Sequence, residues 1–283
     1  MERGGALAIV GCTVLQEELF HVLRRDPEID RIVLVERDEG MKVQSRLESA
    51  LPGKHIVLVK AQDLALVAHG GFSIYLVLKT TSLHRDPEEL RREVIETAQV
   101  LKPYVSSMLL FYGLCRNALR KMRKVSEEVG LPIMILTDPE GFEVDDCFGA
   151  VLGGKKKYLE HIKANHGTLF LTTGYAEHWS GKLGSKDMIS ALQAYEDLRF
   201  VFERCGYNKV LRLDTGLGDD KKFQKQVDML VRTFDMKLEK KECDLSVFEH
   251  SYALAKQLAL QGHEPASEGA DELPAVPNDS APF

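Results

Sequence analysis

A chain of 283 residues is long enough to bury a large core and lies between one big α/β domain and two small ones. Its hydrophobic fraction of 44% and charged fraction of 28% are those of a globular protein, which excludes the disordered and fibrous classes. The formal net charge of −6 leaves no overall basic footprint for nucleic acid, and no apolar run approaches the roughly 20 residues that span a bilayer. Met1–Gly5 has no basic segment followed by an apolar stretch, so the expectation is a cytoplasmic protein with neither membrane nor nucleic acid as a partner. Five cysteines, an odd number spread along the chain, argue for reduced thiols and against a disulfide framework.

Strand-like apolar runs alternate with helical patterns from the start. Ala6–Gly11 reads as a strand and Val14–Arg25 as a helix, with further strands at Arg31–Glu36, His55–Lys60 and Ser73–Lys79. Asp86 as cap and Pro87 at the first helical position open a helix running to Leu101, which Pro103 ends. Ser107–Leu114 reads as a strand, Ala118–Val129 as a basic amphipathic helix and Pro132–Thr137 as the next strand. The second half continues with a helix at Lys155–Ala164, a strand at Gly167–Thr172 and a long helix at Asp187–Arg204. A strand at Val210–Asp214, a helix at Phe223–Phe234, an edge strand at Met236–Lys240 and a helix at Leu245–Leu260 complete the pattern. Residues 1–260 are thus expected to form one α/β domain or two closely packed lobes, and the Gly-, Pro- and Ser-rich 261–283 a disordered tail. Strands joined by helical crossovers imply a mainly parallel, Rossmann-like sheet with helices on both faces.

In an open parallel sheet the ligand crevice lies outside the carboxyl ends of the strands. Cys12 follows the first strand, Cys115 follows the strand ending at Leu114, and Cys147 lies in the passage after Pro132–Thr137. Three thiols on one edge suit zinc or an iron–sulfur cluster and leave a fourth coordination position open for a substrate. A single cysteine near a strand end also reads as a small buried hydrophobe, and the spacing is not a CxxC pair, so the inference rests on topology. His84, between a strand and a helix cap, is a candidate fourth ligand or proton carrier, or else a loop contact. Asp145 and Asp146 beside Cys147 read as caps, outer-shell carboxylates or solvated acids.

Gly153 and Gly154 precede Lys155–Lys157 and suggest an anion cradle, without the full phosphate-loop fingerprint. Thr172–Tyr175 with His178 and Trp179, and Asp214–Asp219, read as pocket loops in which Gly174 admits a close backbone approach. The cluster Arg116, Arg120, Lys121, Arg123 and Lys124 reads as a solvated helix face, and Cys205 and Cys243 as structural.

Tyr112-Gly113-Leu114-Cys115, Asp146-Cys147, Leu152-Gly153, Tyr158, Gly167-Thr168 and Thr172-Thr173-Gly174-Tyr175, together with Leu83-His84 and Cys12, resemble a family catalogued only as a domain of unknown function. The resemblance runs from about Cys12 to Asp219 and implies that Cys12, Cys115 and Cys147 belong together as metal ligands. It extends to a setting in methanogenic archaea and anaerobic bacteria, often beside corrinoid-dependent methyl transfer. Gly113, Gly153 and Gly174, which stand in these motifs, are candidate cofactor-binding positions. The chain departs from the family pattern at Arg116, where glycine is usual, and at Tyr175, where tryptophan is usual.

Together these readings lead to a metal-dependent protein of anaerobic one-carbon or sulfur metabolism, its cofactor zinc or a [4Fe-4S] cluster and its partner a small-molecule substrate. The alternative is a non-catalytic accessory protein that carries a metal or corrinoid to a methyltransferase or corrinoid protein. A sulfonium-dependent methyltransferase is a third reading, resting on Gly11 and Glu36 alone.

Overall fold

The computed structural model describes residues 5–36, 40–67, 70–183 and 188–262. The leader at 1–4, the residue expected to start the long helix, Asp187, and the expected tail from 263 onward lie outside the described residues.

The chain begins with β1 (Ala6–Cys12), buried at every position as a strand covered on both faces must be. A 3-10 turn, Thr13–Leu15, leads into α1 (Gln16–Arg25), then β2 (Arg31–Val35), α2 (Gly40–Ala50), β3 (Ile56–Val59) and β4 (Ser73–Lys79). Next, α3 (Pro87–Leu101) starts as its sequence dictates. The Asp86 carboxylate accepts from the N–H groups of Glu88 at 3.0 Å and Glu89 at 3.2 Å, and Pro87 takes the first helical position. The first sheet ends with β5 (Ser107–Phe111), α4 (Met122–Val129) and β6 (Ile133–Ile135). Two short helices, α5 (Cys147–Val151) and α6 (Lys155–Ala164), lead to β7 (Thr168–Leu171), α7 (Thr173–Leu183), α8 (Met188–Cys205), β8 (Lys209–Asp214), α9 (Asp220–Thr233), β9 (Lys237–Glu242) and α10 (Ser246–Gln261).

Two expectations are corrected. The helix expected from Ala118 starts only at Met122, because Cys115, Arg116, Asn117 and Lys121 have positive φ and cannot continue a right-handed helix. The segment read as a pocket loop after Thr172 is helical. The Thr172 hydroxyl accepts from the Tyr175 N–H at 3.3 Å and its carbonyl from the Ala176 N–H at 2.9 Å, which caps α7.

The first sheet has the order β3-β2-β4-β1-β5-β6 and the second β7-β8-β9, with every strand pair in both parallel. The connection from β1 to β2 passes β4, whereas that from β4 to β5 passes β1 in the opposite direction. Right-handed crossovers in opposite directions lie on opposite faces of a sheet. The neighbouring strands β1 and β4, in register from Ala6↔Ser73 to Cys12↔Lys79, therefore form a topological switch point with Cys12 at its carboxyl edge.

The second sheet joins the first through β8. Leu211 and Leu213 belong to the core of the large sheet, while Val210 packs in a second core with Phe223, Val227 and Leu230 of α9.

After β9 the chain returns to the first sheet as α10, packing on β1, β5 and β6. Phe248 stacks on Phe111 with ring centroids 5.3 Å apart, and the Ser251 hydroxyl accepts from the Thr137 N–H at 2.9 Å. At the far end Tyr252 donates to Asp26 at 2.6 Å and Lys256 to the same carboxylate at 2.8 Å, tying α10 to the end of α1. Burial pushes the Asp26 carboxyl up, but the hydrogen bonds from Lys256 and Tyr252 outweigh it and hold it below its ordinary value. A depressed carboxylate contributes stability that is present above the unfolded-state value of about 3.9 and is lost as pH falls through the lower folded-state value. Asp26→Asn is expected to cost about 1.5–3 kcal/mol at pH 7, the range for hydrogen bonds to a charged group. Denaturant unfolding of both proteins should show that deficit shrinking below about pH 4; a deficit unchanged down to pH 2 would contradict the assignment.

Candidate functional site

The site is assembled by backbone contacts beyond the ends of β5 and β6. After β6 the chain doubles back, with the Asp138 N–H on the Phe142 carbonyl at 2.9 Å and the Val144 N–H on the Leu136 carbonyl at 3.1 Å. The returning limb runs beside the segment leaving β5. The N–H of Leu114 reaches the Val144 carbonyl at 2.8 Å, and that of Cys115 the Asp145 carbonyl at 2.9 Å. Gly113 permits this approach, since a Cβ there would lie 2.5 Å from the Asp146 Cα. Asp146 then caps α5 by accepting from the Gly149 N–H at 2.9 Å, which sets Cys147 at the first helical position. Tyr158 of α6 holds that cap through a 2.7 Å hydrogen bond from its hydroxyl to the second carboxylate oxygen.

Cys115, Arg116 and Asn117 form a left-handed turn, with φ of 47°, 58° and 64°. For residues with a Cβ this conformation costs roughly 1–2 kcal/mol each. The glycine that the resemblance leads one to expect at position 116 would take this backbone without that cost.

Cys12, Cys115 and Cys147 are all buried. Cys12 Sγ caps the 3-10 turn, accepting from the Val14 N–H at 3.5 Å, and burial outweighs that contact to push its thiol up to about 12. The Cys115 thiol is raised by burial, then by the charges of Cys12 and Asp146. Cys147 is raised by burial, then by Asp146, Cys115, Cys12 and Glu18. Burial followed by the thiols also raises Tyr112 and Tyr175. The three sulfurs therefore lie within electrostatic reach of one another, and no cationic side chain is among the causes of any thiol's shift.

Soft, anion-forming donors without a cation of their own are the donor set of a zinc or iron–sulfur site. Among the described residues, however, no group of three or more His, Cys, Asp or Glu is arranged so that it could hold a metal ion as it stands. Electrostatic coupling acts over longer distances than a metal–sulfur bond. Ligation by all three would require the sulfurs to close on an ion, as binding sites coupled to folding do.

Cys115 and Cys147 line a cavity of 470 Å³ together with Phe148, Tyr158 and Tyr175. The Phe148 ring lies 4.8 Å from that of Tyr175 and 6.0 Å from that of Phe170 of β7, so the aromatic wall joins both sheets. Glu18 was not among the residues singled out from the sequence. It is 2% exposed, and burial is the main cause that pushes its carboxyl up to about 7. The available signal was an acid on the apolar stripe that Leu15, Leu19 and Val22 make along the start of α1. Tyr158 and Tyr175 stood in the motifs quoted from the sequence, but nothing there showed that they share a cavity with Cys115 and Cys147.

The remaining expected positions have other surroundings. Gly153 has φ of 85° and faces Lys157, and the N–H of Lys155 at the neighbouring helix start already donates to Asp138 at 3.1 Å. Gly174 seats α7 on the turn after β1, where a Cβ would meet the Val14 carbonyl oxygen at 2.1 Å. It lines a second cavity, of 330 Å³, with Thr13, Thr81 and His178, whose Nδ1 is 2.8 Å from the Thr81 hydroxyl. The Gly216–Asp219 loop after β8 lines a third, of 790 Å³. His84 falls in the 3-10 turn Thr81–Arg85, and its side chain lies outside the described residues. Trp179 packs on the second core. Cys205, expected to be structural, is exposed, and Cys243 is half-buried. Arg116 leaves the basic helix face expected for it and lines the thiol cavity.

A family described as "Protein of unknown function (DUF1638)" matches residues 79–252, more than half of the chain. No curated protein matches. Among solved structures the chain is similar to a short-chain dehydrogenase/reductase from Serratia marcescens BCRC 10948 at 11% identity, over 93% of this chain and 94% of that one, with a TM-score of 0.21. At that score nothing about this chain follows from the likeness.

The seam between Gly113 and Asp146 has a measurable consequence. Gly113→Ala places a Cβ among backbone atoms at 2.5–2.8 Å, and overpacking against atoms that cannot rotate away costs about 1–3 kcal/mol. The denaturation midpoint should fall accordingly, and an unchanged midpoint would show that the seam yields.

Proposed function

This chain belongs to the DUF1638 family, and we propose that it is a metal-dependent protein acting on a small molecule, with Cys12, Cys115 and Cys147 as the ligands. The observation that carries this is the gathering of three buried thiols beyond the carboxyl edge of the first sheet, where Cys12 raises Cys115 and both raise Cys147, with no cation among the causes. Thiols so placed are neutral at pH 7 unless a positive ion joins them, and metal binding would release their protons. A small-molecule substrate is favoured by the cavity, whose 470 Å³ falls within the range of ligand pockets. The setting in anaerobic one-carbon or sulfur metabolism is supported by the sequence resemblance alone.

Bound there, zinc would activate a thiol or polarise a substrate oxygen, and a [4Fe-4S] cluster with one iron free of protein ligands would act as a Lewis acid. The chain's own residues prepare the chamber. Asp146 orients Cys147 by capping its helix, and the Tyr158 hydroxyl fixes that carboxylate. Phe148 and Tyr175 limit the entry of water beside Cys115 and Cys147.

Anaerobic purification with metal analysis and an absorption spectrum tests the reading, since a cluster is brown and zinc is colourless. Metal at about a hundredfold excess over its Kd should stabilise the wild type by about 2.7 kcal/mol. Cys12→Ser, Cys115→Ser and Cys147→Ser should each abolish that gain. Metal-free protein whose unfolding is indifferent to zinc and to cluster reconstitution would end the proposal.

A further inference from the structure

The mouth of the thiol cavity carries a positive charge, that of Arg116, for which the described residues supply no ion-pair partner. Arg116 and Asn117 line it and are exposed, whereas Cys115, which lines it too, is 7% exposed. Among the described residues the Arg116 guanidinium makes no ion pair and no hydrogen bond, unlike Arg46, which is paired with Glu17 and Glu177. Arg116 is also the middle residue of the left-handed turn, a conformation that a glycine would hold without strain. Strain retained at a residue facing a cavity points to a use for the side chain it carries.

The interior of the cavity is of a different kind. Leu114, Phe148, Tyr158 and Tyr175 give it an apolar, largely aromatic wall. A planar guanidinium at the mouth matches a carboxylate in a two-pronged contact. Asp145 on the same rim opposes any anion, so the contact with Arg116 has to outweigh it, and a single charge is opposed less than a multiply charged anion such as phosphate.

We infer that the cavity recognises a small monocarboxylate with an apolar or aromatic body, the carboxylate against Arg116 and the body along Phe148 and Tyr175 toward Cys115 and Cys147. This deepens the proposed function by naming the substrate class of the same chamber, and rests on that reading for the reaction but not for the binding. Arg116 is a specificity-determining residue in this scheme, and its left-handed turn brings Cys115 and Arg116 to the same cavity.

Isothermal titration of the full chain without added metal, using benzoate, benzyl alcohol and inorganic phosphate, tests the inference. Benzoate should bind at least about tenfold more tightly than benzyl alcohol or phosphate. Arg116→Gly should weaken benzoate by about tenfold or more while raising the thermal midpoint, because the charge and the backbone strain leave together. Arg116→Met should weaken benzoate equally without the thermal gain, and Arg116→Lys should fall between the wild type and Arg116→Met. Equal benzoate affinity in the wild type and both Arg116→Gly and Arg116→Met, absence of benzoate binding to the wild type, or preference for phosphate overturns the inference. Since no metal is present, such a failure is distinct from failure of the thiol centre, which the Cys→Ser series decides.

Discussion

Two lengths of backbone, one leaving β5 and one entering α5, run side by side, and they come closest where Gly113 faces Asp146. Two hydrogen bonds, Leu114 to Val144 and Cys115 to Asp145, hold them in register. From that seam the geometry of the site follows. Asp146 is turned so that its carboxylate caps α5, Cys147 stands at the head of the helix, and Cys115 is delivered to the same cavity by a left-handed turn. Any side chain at position 113 would separate the strands' extensions and with them the two cysteines.

The electrostatics of the site contrast with the way the rest of the fold treats buried acids. Asp26 has Lys256 and Tyr252, and Asp214 has Lys240 and Arg212, and in each case these partners outweigh burial. Around the thiols every shift is upward. Asp146 is raised despite hydrogen bonds from Tyr158 and backbone amides, and Glu18 is raised as well. Under the proposed function, this group of acids is where an arriving cation would be stabilised. Arg116, without an ion pair among the described residues, lines the same cavity and is open to solvent.

The second sheet contributes more than bulk. The helix after β7 brings Tyr175 to the lining of the cavity with Cys115 and Cys147, and Phe170 of β7 packs behind it against Phe148. The thiol cavity is consequently lined by segments that follow β5 and β6 of the first sheet and by the helix that follows β7 of the second. The cavities lined by Thr13, Thr81 and Gly174 and by Gly216–Asp219 continue that arrangement, since each gathers residues that follow strand ends.

Much of this was legible in the sequence because it depends on neighbours along the chain. Short apolar runs marked β1, β4 and β8, the Asp86-Pro87 pair marked the start of α3, and the alternation of strand and helix required parallel pairing. The same rule placed Cys12, Cys115 and Cys147 on the carboxyl edge. It did not reveal that α7 begins at Thr173, because Gly174 and the polar residues after it mask the helical period. Nor did it reveal the left-handed turn at Cys115–Asn117, which is held by contacts with a limb lying beyond the next strand. Strand order, the seating of β7 beside Phe148, the burial of Glu18 and the place of the half-buried Tyr158 beside Cys115 and Cys147 were decided only by tertiary structure. Periodicity is a property of adjacent residues, whereas the dielectric, the charge balance and the shape of a cavity are set by segments that meet only after the crossovers have closed.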